Sequence, residues 1–286
     1  MKKILLTALV LLFLLFTTFS YQYFKFNDGK LHLIFCNVGQ GDGIFIRSPK
    51  GLDIIVDSGP DDSILRCLSS HMPFWDRSIE LAFLTHPHAD HMTGFIEILK
   101  RYRVLSFNTE NVSNNTKIYK VLFDNLSKNS IKVNFLTKGD SYSLSDGVKI
   151  KTLGPSREFL EKTSPTGEIN ESEGFGNLIT LVSYGNFRAI LTGDSQVEGL
   201  KDAVFGSFPV EVLQIPHHGS KYGLNRELLE DFSPKLAVIS VGKNKYGHPS
   251  PYTLGLLNDL KIKYLRTDQN GDTEIIVENN GQFSVH

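Results

Sequence analysis

Six of the nine histidines fall in three short clusters, and each cluster closely follows an apolar, strand-like segment. The clustered residues are His86, His88, His91, His217, His218 and His248. Ligand-binding side chains in sheet proteins gather at strand ends, so these clusters require a fold in which several strands end at one place. The remaining histidines, which we expect to be incidental, are His32, His71 and His286.

The apolar pattern predicts strands and helices in blocks. A meander of short strands over residues 31–58 precedes alternating strands and helices, and more strands close the chain. This order predicts an α/β (α+β) fold with helices packed outside sheets. No repeat or linker interrupts residues 28–286, which are expected to form one domain. A hydrophobic content of 41% excludes a disordered chain, and a net charge of −1 excludes a strongly basic nucleic-acid coat protein.

Residues 1–26 have the composition of a segment that inserts into a membrane. Lys2 and Lys3 precede the uncharged run Ile4–Phe24, which is long enough to span a bilayer at roughly 20 residues. The pattern predicts a signal peptide or a single-pass signal anchor, and we favour the uncleaved anchor. In either case the remainder is exported, and lies on the extracytoplasmic face of the membrane or is secreted. The alternative is a buried N-terminal helix.

Two cysteines are too few for a disulfide framework. Cys36 follows the apolar run Leu31–Phe35 and is expected to be a buried thiol. A bridge between Cys36 and Cys67 is the less favoured alternative.

The first histidine cluster has the spacing of a metal site. It follows the predicted strand Leu81–Leu84 and precedes a helix expected to start near Thr93. Alternate residues of an extended segment point the same way, so His86 and His88 can hold one ion, while Asp90 and His91 can hold a second. Imidazole and carboxylate ligands suit zinc and manganese.

The other site residues also stand at strand ends. Asp194 is expected to bridge two ions, with a turn aspartate as the alternative. Adjacent side chains diverge, so one of His217 and His218 is expected to bind metal and the other substrate; we favour His218 as the ligand. His248 is a candidate ligand, proton donor or substrate contact. Asp57 is expected to orient a ligating imidazole, or else to cap a turn.

These residues resemble the metallo-β-lactamase superfamily, whose fold is a four-layer αββα sandwich. Four sequence motifs are also similar to the hydrolase domain of ComEC-type DNA-uptake (competence) proteins. They are Asn37–Asp42, Leu191–Asp194, Ile215–Ser220 and Tyr246–Pro251. The resemblance implies a metallohydrolase with two divalent ions, zinc or manganese, and nuclease or phosphodiesterase activity.

One departure from the superfamily pattern affects the metal site. Many members carry another histidine upstream of the bridging aspartate, where this chain has Gly176–Asn177. The ion at His86 and His88 therefore lacks one protein ligand, and water, substrate or His248 is expected to fill the place.

The expected mechanism is attack on phosphorus by hydroxide that the two ions hold between them. The predicted metal ligands are His86, His88, Asp90, His91, Asp194 and His218. Asp90 is expected to be essential to turnover, and His217 or His248 to stabilise charge on the phosphate oxygens.

Charge patterning bears on the substrate. The segment Lys100–Lys138 carries eight basic and two acidic residues and is either a nucleic-acid patch or a solvated face. The glutamate-rich segment Gly154–Gly174, predicted to be a surface loop, would oppose DNA binding if it covered the site.

We expect single-stranded DNA or another phosphodiester as partner, the membrane through residues 1–26, and no identifiable protein partner. The alternatives are a small-molecule hydrolase of the same fold, acting on a lactam, lactone or phosphocholine-like ester, and a binding module with a degenerate site.

Overall fold

The computed structural model describes residues 1–169 and 176–286. Its strands, in chain order, are β1 Leu31–Phe35, β2 Gly43–Arg47, β3 Asp53–Ser58, β4 Ser78–Ile79, β5 Leu81–Leu84, β6 Arg103–Val104, β7 Ser106–Thr109, β8 Lys132–Phe135, β9 Ser141–Ser143, β10 Lys149–Gly154, β11 Ile179–Tyr184, β12 Phe187–Leu191, β13 Val212–Gln214, β14 Leu236–Ile239, β15 Tyr264–Arg266, β16 Thr273–Val277 and β17 Phe283–Val285. Its helices are α1 Lys2–Phe26, α2 Ile64–His71, α3 Ala89–Ile98, α4 Lys117–Lys128, α5 Arg157–Thr163, α6 Val197–Ala203, α7 Arg226–Phe232, α8 Pro251–Asp259 and α9 Thr267–Asn270, with a short 3₁₀ turn over His217–Gly219.

The strands form two large mixed sheets. The first has the order β17-β16-β1-β2-β3-β5-β7-β8, and the second has the order β15-β14-β13-β12-β11-β10-β9. Antiparallel hairpins occupy one half of each sheet, while β3-β5-β7-β8 and β12-β13-β14-β15 run parallel. The carboxyl ends of the two parallel halves are where the polar motifs of the sequence occur.

Side-chain alternation along the strands builds a four-layer αββα sandwich. In β1, Leu33 and Phe35 pack between the two sheets, whereas Ile34 packs outward beneath α2, α3 and α4. The outer face of the second sheet is covered in the same way by α6, α7 and α8. The inner strands of both sheets, such as β2, β3, β13 and β14, are buried on both faces, and they carry apolar residues at successive positions as strands covered on both sides do. The predicted fold class is confirmed.

Two predictions of local secondary structure need correction. The helix expected near Thr93 begins at Ala89, so Asp90 and His91 lie in its first turn. The predicted loop Gly154–Gly174 contains α5, which the Ser156 side chain caps by accepting a hydrogen bond from the Phe159 amide. Ser and Thr caps outweigh a polar composition at such places. Residues 170–175 of that predicted loop lie outside the described residues.

The expectation of free thiols is wrong, because Cys36 and Cys67 form a disulfide. Cys36 follows β1 and faces outward, and Cys67 lies on the α2 face that packs against the same side of the sheet. Their Cα atoms are 5.8 Å apart, within the range that a disulfide requires. The bridge therefore ties α2 to the first sheet, a relation between elements that spacing along the chain does not reveal.

The first helix meets the domain at a buried ion pair. By length and composition α1 is able to cross a membrane, with a mean hydropathy of 2.3 and no part buried. Arg47, at the end of β2, donates from Nε to the Phe26 carbonyl. Its Nη1 donates to both carboxylate oxygens of Asp53, at 2.7 and 2.6 Å. Asp53 opens β3, the strand that ends at Asp57 and Ser58. One strand thus links the end of α1 to the candidate site.

Candidate metal centre

Asp57 fixes the orientation of His91. Asp57 has a left-handed backbone (φ 57°) that turns its buried carboxylate toward the next strand. Its Oδ2 accepts hydrogen bonds from His91 Nδ1 at 2.8 Å and from the Thr85 hydroxyl at 2.6 Å, and its Oδ1 accepts from the Thr85 amide. Because the Nδ1–H of His91 is engaged, its Nε2 faces the centre of the site.

His86 is held in the same way. The Thr85 hydroxyl donates to Asp57, so it accepts from His86 Nδ1 at 3.1 Å. His86 Nε2 is then directed inward, 2.9 Å from His88 Nδ1 and 3.9 Å from Asp194 Oδ2. The extended segment at the end of β5 therefore delivers both imidazoles to one side of Asp194.

Close backbone packing sets the position of Asp90. A Cβ atom on Gly41 would lie 2.2 Å from the Asp90 carbonyl, and Gly41 has a φ of +145°. Only glycine fits such a place. The motif Asn37–Asp42 therefore has a structural reason: it lets the loop after β1 press against the start of α3.

Asn177, which lies near the place where the resemblance implies a further histidine, has a structural role here. Its amide nitrogen donates to the Thr192 carbonyl at 2.6 Å, and its Oδ1 accepts from the Asp194 amide at 3.1 Å. A Cβ on Gly193 would lie 2.6 Å from Asn177 Oδ1, so glycine is needed for this contact. Asn177 thus holds the turn that presents Asp194.

His217 and His218 both approach Asp194. Each has a left-handed backbone, with φ of 51° and 54°, which turns the chain sharply after β13. His218 Nε2 lies 3.4 Å from Asp194 Oδ1, and His217 Nε2 lies 3.6 Å from Asp194 Oδ2. The divergence expected for adjacent side chains does not separate them, because the strained backbone turns both rings to one carboxylate.

Two sets of ligand atoms share Asp194. One comprises Asp90, His91, Asp194 and His218, and the other comprises His86, His88 and Asp194. In the first set, His91 Nε2 lies 3.3 Å from Asp194 Oδ1, and His218 Nε2 lies 3.5 Å from Asp90 Oδ2. Ligands about 2.1 Å from a tetrahedral zinc ion are about 3.4 Å from one another. The spacing of the first set therefore fits an ion.

Unsatisfied buried atoms support this fit. In the described part of the chain, His91 Nε2, Asp194 Oδ1 and His218 Nε2 are buried and have no hydrogen-bond partner. Buried polar atoms are nearly always paired, so three that converge call for a ligand. Ser240 reinforces the arrangement, since its carbonyl accepts from His218 Nδ1 at 2.9 Å and leaves Nε2 directed inward.

The charges of the site are strongly coupled. Burial alone would raise the pKa of Asp194, but the imidazoles of His218, His91 and His217 hold it well below its usual range. Burial alone would lower the pKa of His218, but Asp194 and Asp42 raise it to about 9. Protonated imidazoles therefore face carboxylates in this site, and divalent cations would replace those protons.

The set of His86, His88 and Asp194 has only three ligands among the described residues, and His217 lies nearer to it than His248 does. His217 Nε2 and His86 Nε2 face the same oxygen of Asp194, at 3.6 and 3.9 Å. His248 belongs to neither set; its ring centroid is 5.5 Å from that of His217. The predicted metal ligands thus converge, while His248 lies at the rim.

The centre opens into a cleft of about 360 Å³. Its rim includes His248 and Tyr246, on a loop organised by Asn244, whose side chain bonds the backbone of both residues. Burial lowers the pKa of His248, so this ring is neutral at neutral pH. A larger cleft of about 600 Å³ lies around Arg157 and Leu160 and contains no histidine.

Asp42 and Gln214 were not among the predicted site residues. Asp42 accepts from Gln214 Nε2 at 2.8 Å and lies 3.6 Å from His218 Nδ1. Burial raises the pKa of Asp42 to about 6. The resemblance of the Asn37–Asp42 motif was the only signal, because 172 residues separate Asp42 from Gln214.

Comparison with known families agrees with this geometry. The family model described as the metallo-beta-lactamase superfamily matches residues 36–243. The chain therefore belongs to the metallo-β-lactamase superfamily and has the fold of a metal-dependent hydrolase.

Two curated relatives are ComEC-type proteins, as the sequence motifs predicted. The chain is 28% identical to ComE operon protein 3 of Bacillus subtilis over 100% of its own length and 38% of the relative's. It is 24% identical to Recombination protein 2 of Haemophilus influenzae over 71% of its length and 23% of the relative's. The chain thus spans well under half of either relative.

The fold also matches a solved structure. The metallo-beta-lactamase fold protein YhfI from Bacillus subtilis has a TM-score of 0.51 and 10% sequence identity, covering 90% of this chain and 100% of that one. At this identity the likeness shows the fold alone.

Proposed function

We propose that the protein is a phosphodiesterase that cleaves single-stranded DNA at a dinuclear metal centre. The observation that carries this proposal is the pair of ligand sets joined through Asp194. Two divalent ions, zinc or manganese, would be held by these residues and would supply an activated water nucleophile for displacement at phosphorus. The names of the two curated relatives, from a ComE operon and from recombination, support DNA as substrate.

The residues have separable roles in this proposal. His86, His88, Asp90, His91, Asp194 and His218 hold the ions. Asp57 and the Ser240 carbonyl keep the imidazoles of His91 and His218 turned inward. His217 completes the set at His86 and His88, and neutral His248 at the rim donates a hydrogen bond to the substrate phosphate.

The rim of the cleft favours a nucleic-acid strand over a small ester. Tyr246 at this rim is 66% exposed, and the Lys245 ammonium group lies over its ring. Aromatic rings beside cations bind single strands by stacking bases and attracting phosphates. The basic segment Lys100–Lys138 contributes less, since Lys100 and Arg101 are paired with Glu97.

We place the domain outside the cytoplasm in this proposal. The Cys36–Cys67 disulfide supports export, because disulfides persist in oxidising compartments. Together with α1 it favours a domain anchored on the extracytoplasmic face. External protease should digest the domain in intact cells that express the full chain; protection until the cells are lysed would contradict export.

Cleavage of labelled single-stranded DNA by the full chain in detergent tests the activity. With manganese or zinc added, the wild type should cut the strand and Asp90→Ala should not. Asp124→Ala is the matched control, because Asp124 is exposed on α4 and should leave cleavage unchanged. Hydrolysis of a small phosphodiester without cleavage of DNA would instead favour the small-molecule hydrolase. No hydrolysis of either substrate with either metal would contradict the proposal.

A further inference from the structure

An exposed aromatic cluster joins α1 to a loop of the domain. The cluster comprises Phe19, Tyr23 and Phe24 of α1 and Phe74 and Trp75 of the loop between α2 and β4; we call it the anchor cluster. Phe74 and Phe24 are 54% and 73% exposed, and Trp75 is 36% exposed. Large aromatic side chains exposed together on a protein surface indicate a binding surface.

Specific contacts hold the loop against the helix. The Trp75 ring stacks on Phe19 with centroids 4.3 Å apart, and Phe74 packs edge-on against Trp75 at 5.0 Å. The Phe74 amide donates to Gln22 Oε1 at 2.8 Å. The loop and the last two turns of α1 therefore form one surface.

The ion pair of Arg47 fixes this surface to the domain. Arg47 Nη1 lies 3.3 Å from Oδ2 of Asp76, the residue that follows Trp75, and Arg47 Nε donates to the Phe26 carbonyl. Arg47 is buried, so the joint is shielded from water. The end of α1 and the loop are thus held in one orientation relative to β2 and β3.

The depth of Trp75 along α1 indicates its partner. Phe19 lies seven residues before Phe26, which is roughly 10 Å along a helix axis. A helix of 25 residues is about 37 Å long and exceeds the hydrocarbon core of about 30 Å, so its last turns reach the headgroup region. Tryptophan and tyrosine concentrate at that level, and Lys25 follows at the aqueous end.

We infer that the Phe74–Trp75 loop is a second membrane contact, inserted into the headgroup region of the bilayer that α1 crosses. The inference rests on the membrane anchoring proposed above and is independent of the substrate of the metal centre. The attachment holds the Asp53 end of β3 toward the membrane. The Asp57 end, roughly 13 Å further along the strand, carries the metal centre away from the lipid.

Trp75 is the single tryptophan of the chain, so its fluorescence reports on this loop alone. The full chain is reconstituted into phosphatidylcholine vesicles whose acyl chains are brominated either near the headgroup or near the chain end. We expect quenching by the shallow bromines at least about twofold stronger than by the deep ones, and weak quenching by aqueous iodide. Iodide quenching like that of free tryptophan, with none from either brominated lipid, would overturn the inference.

Two variants sharpen the test. Phe74→Ala should increase iodide quenching of Trp75, because the loop loses its more exposed ring. Phe135→Ala is the matched control: Phe135 is also 54% exposed, but it ends β8, and its loss should change nothing. Equal quenching in all three proteins, at the level of indole in water, would show that the loop binds no lipid.

Discussion

The two ends of β3 hold buried charges in opposite ways. At its start Asp53 receives two hydrogen bonds from Arg47, and neither residue has an unpartnered buried side-chain atom in the described chain. At its end Asp57 orients His91, whose Nε2 has no partner. We call the Arg47–Asp53 pair the closed pair, because its side-chain atoms all have partners. We call the Asp57–His91 pair the open pair, because His91 Nε2 is left without a hydrogen-bond partner in the part of the chain that the structure describes and can bind a ligand. Unsatisfied atoms, rather than buried charge itself, mark the functional end.

Removing the Asp194 carboxylate, which both ligand sets share, should have the largest effect on metal binding and hydrolysis. Asp194→Ala deletes the ligand common to both sets, so both metal sites and all hydrolysis should be lost, to the level of a protein-free control. Metal content after dialysis and the DNA assay measure the two losses. Imidazoles, unlike an arginine, can lose their protons when the carboxylate is removed, so no buried charge is left unpaired and the chain should remain folded by circular dichroism. Retention of two ions would refute the bridging role.

Breaking the closed pair should affect stability and leave the metal untouched. Arg47→Ala leaves Asp53 buried without its cation, which costs about 3–5 kcal/mol in free energy of unfolding. Urea denaturation with and without the change measures this loss. The double variant Arg47→Met with Asp53→Leu should recover most of it, because apolar residues of similar size replace such pairs at little cost. A single variant as stable as the wild type would show that the pair is not structural.

Loosening the orientation of His91 should produce an intermediate effect. Asp57→Asn keeps the shape but weakens the hold on His91 Nδ1, so metal affinity should fall about 10- to 100-fold with little change in fold. Titration calorimetry with zinc measures the affinity. Asp76→Asn is the matched control: Asp76 lies in the loop before β4, where it contacts Arg47, and the variant should bind zinc like the wild type. An unchanged affinity in Asp57→Asn would place the ligands elsewhere.

The smallest expected effect concerns an ion network beside the end of α1. His32 Nδ1 lies 2.8 Å from Glu274 Oε1, and His71 lies 3.7 Å from both Glu274 and Asp272. Burial would lower the pKa of His71, but these carboxylates raise it to about 9. A raised pKa means that the stabilisation is complete below the unfolded value of about 6.5 and is lost as pH rises through about 9.

The variant His71→Gln tests this dependence. Between about pH 6 and about pH 9 the wild type should lose about 1 kcal/mol more stability than the variant, since the site is partly screened by water. Urea denaturation at the two pH values gives the comparison. Identical losses in the two proteins would remove His71 from the network.

The metal-centre residues near Asp57 were largely predictable from sequence, whereas the buried Arg47–Asp53 pair at the start of β3 was not. Polar residues that interrupt apolar strands at His86, Asp194 and His218 are local signals, and the structure brings them together. Arg47 and Asp53 also lie close in sequence, but an alternating strand does not show that both are buried. His32 and His71 were expected to be incidental because their partner Glu274 lies some 200 residues away.

Backbone geometry accounts for what else the sequence did not show. The approach of His217 to Asp194 depends on two successive left-handed residues, which no residue preference would suggest for histidine next to histidine. The Cys36–Cys67 bridge depends on how α2 packs on the sheet. Asn177 holds the turn at Asp194 through its side-chain amide, and only its hydrogen bonds reveal that role.

Anomalous diffraction at the zinc edge, from crystals grown with zinc, tests the central claim most directly. We expect two peaks about 3.5–4 Å apart on either side of the Asp194 carboxylate. One peak should lie among Asp90, His91 and His218, and the other beside His86 and His88. No peak at Asp194, or one ion without a neighbour, would contradict a dinuclear centre.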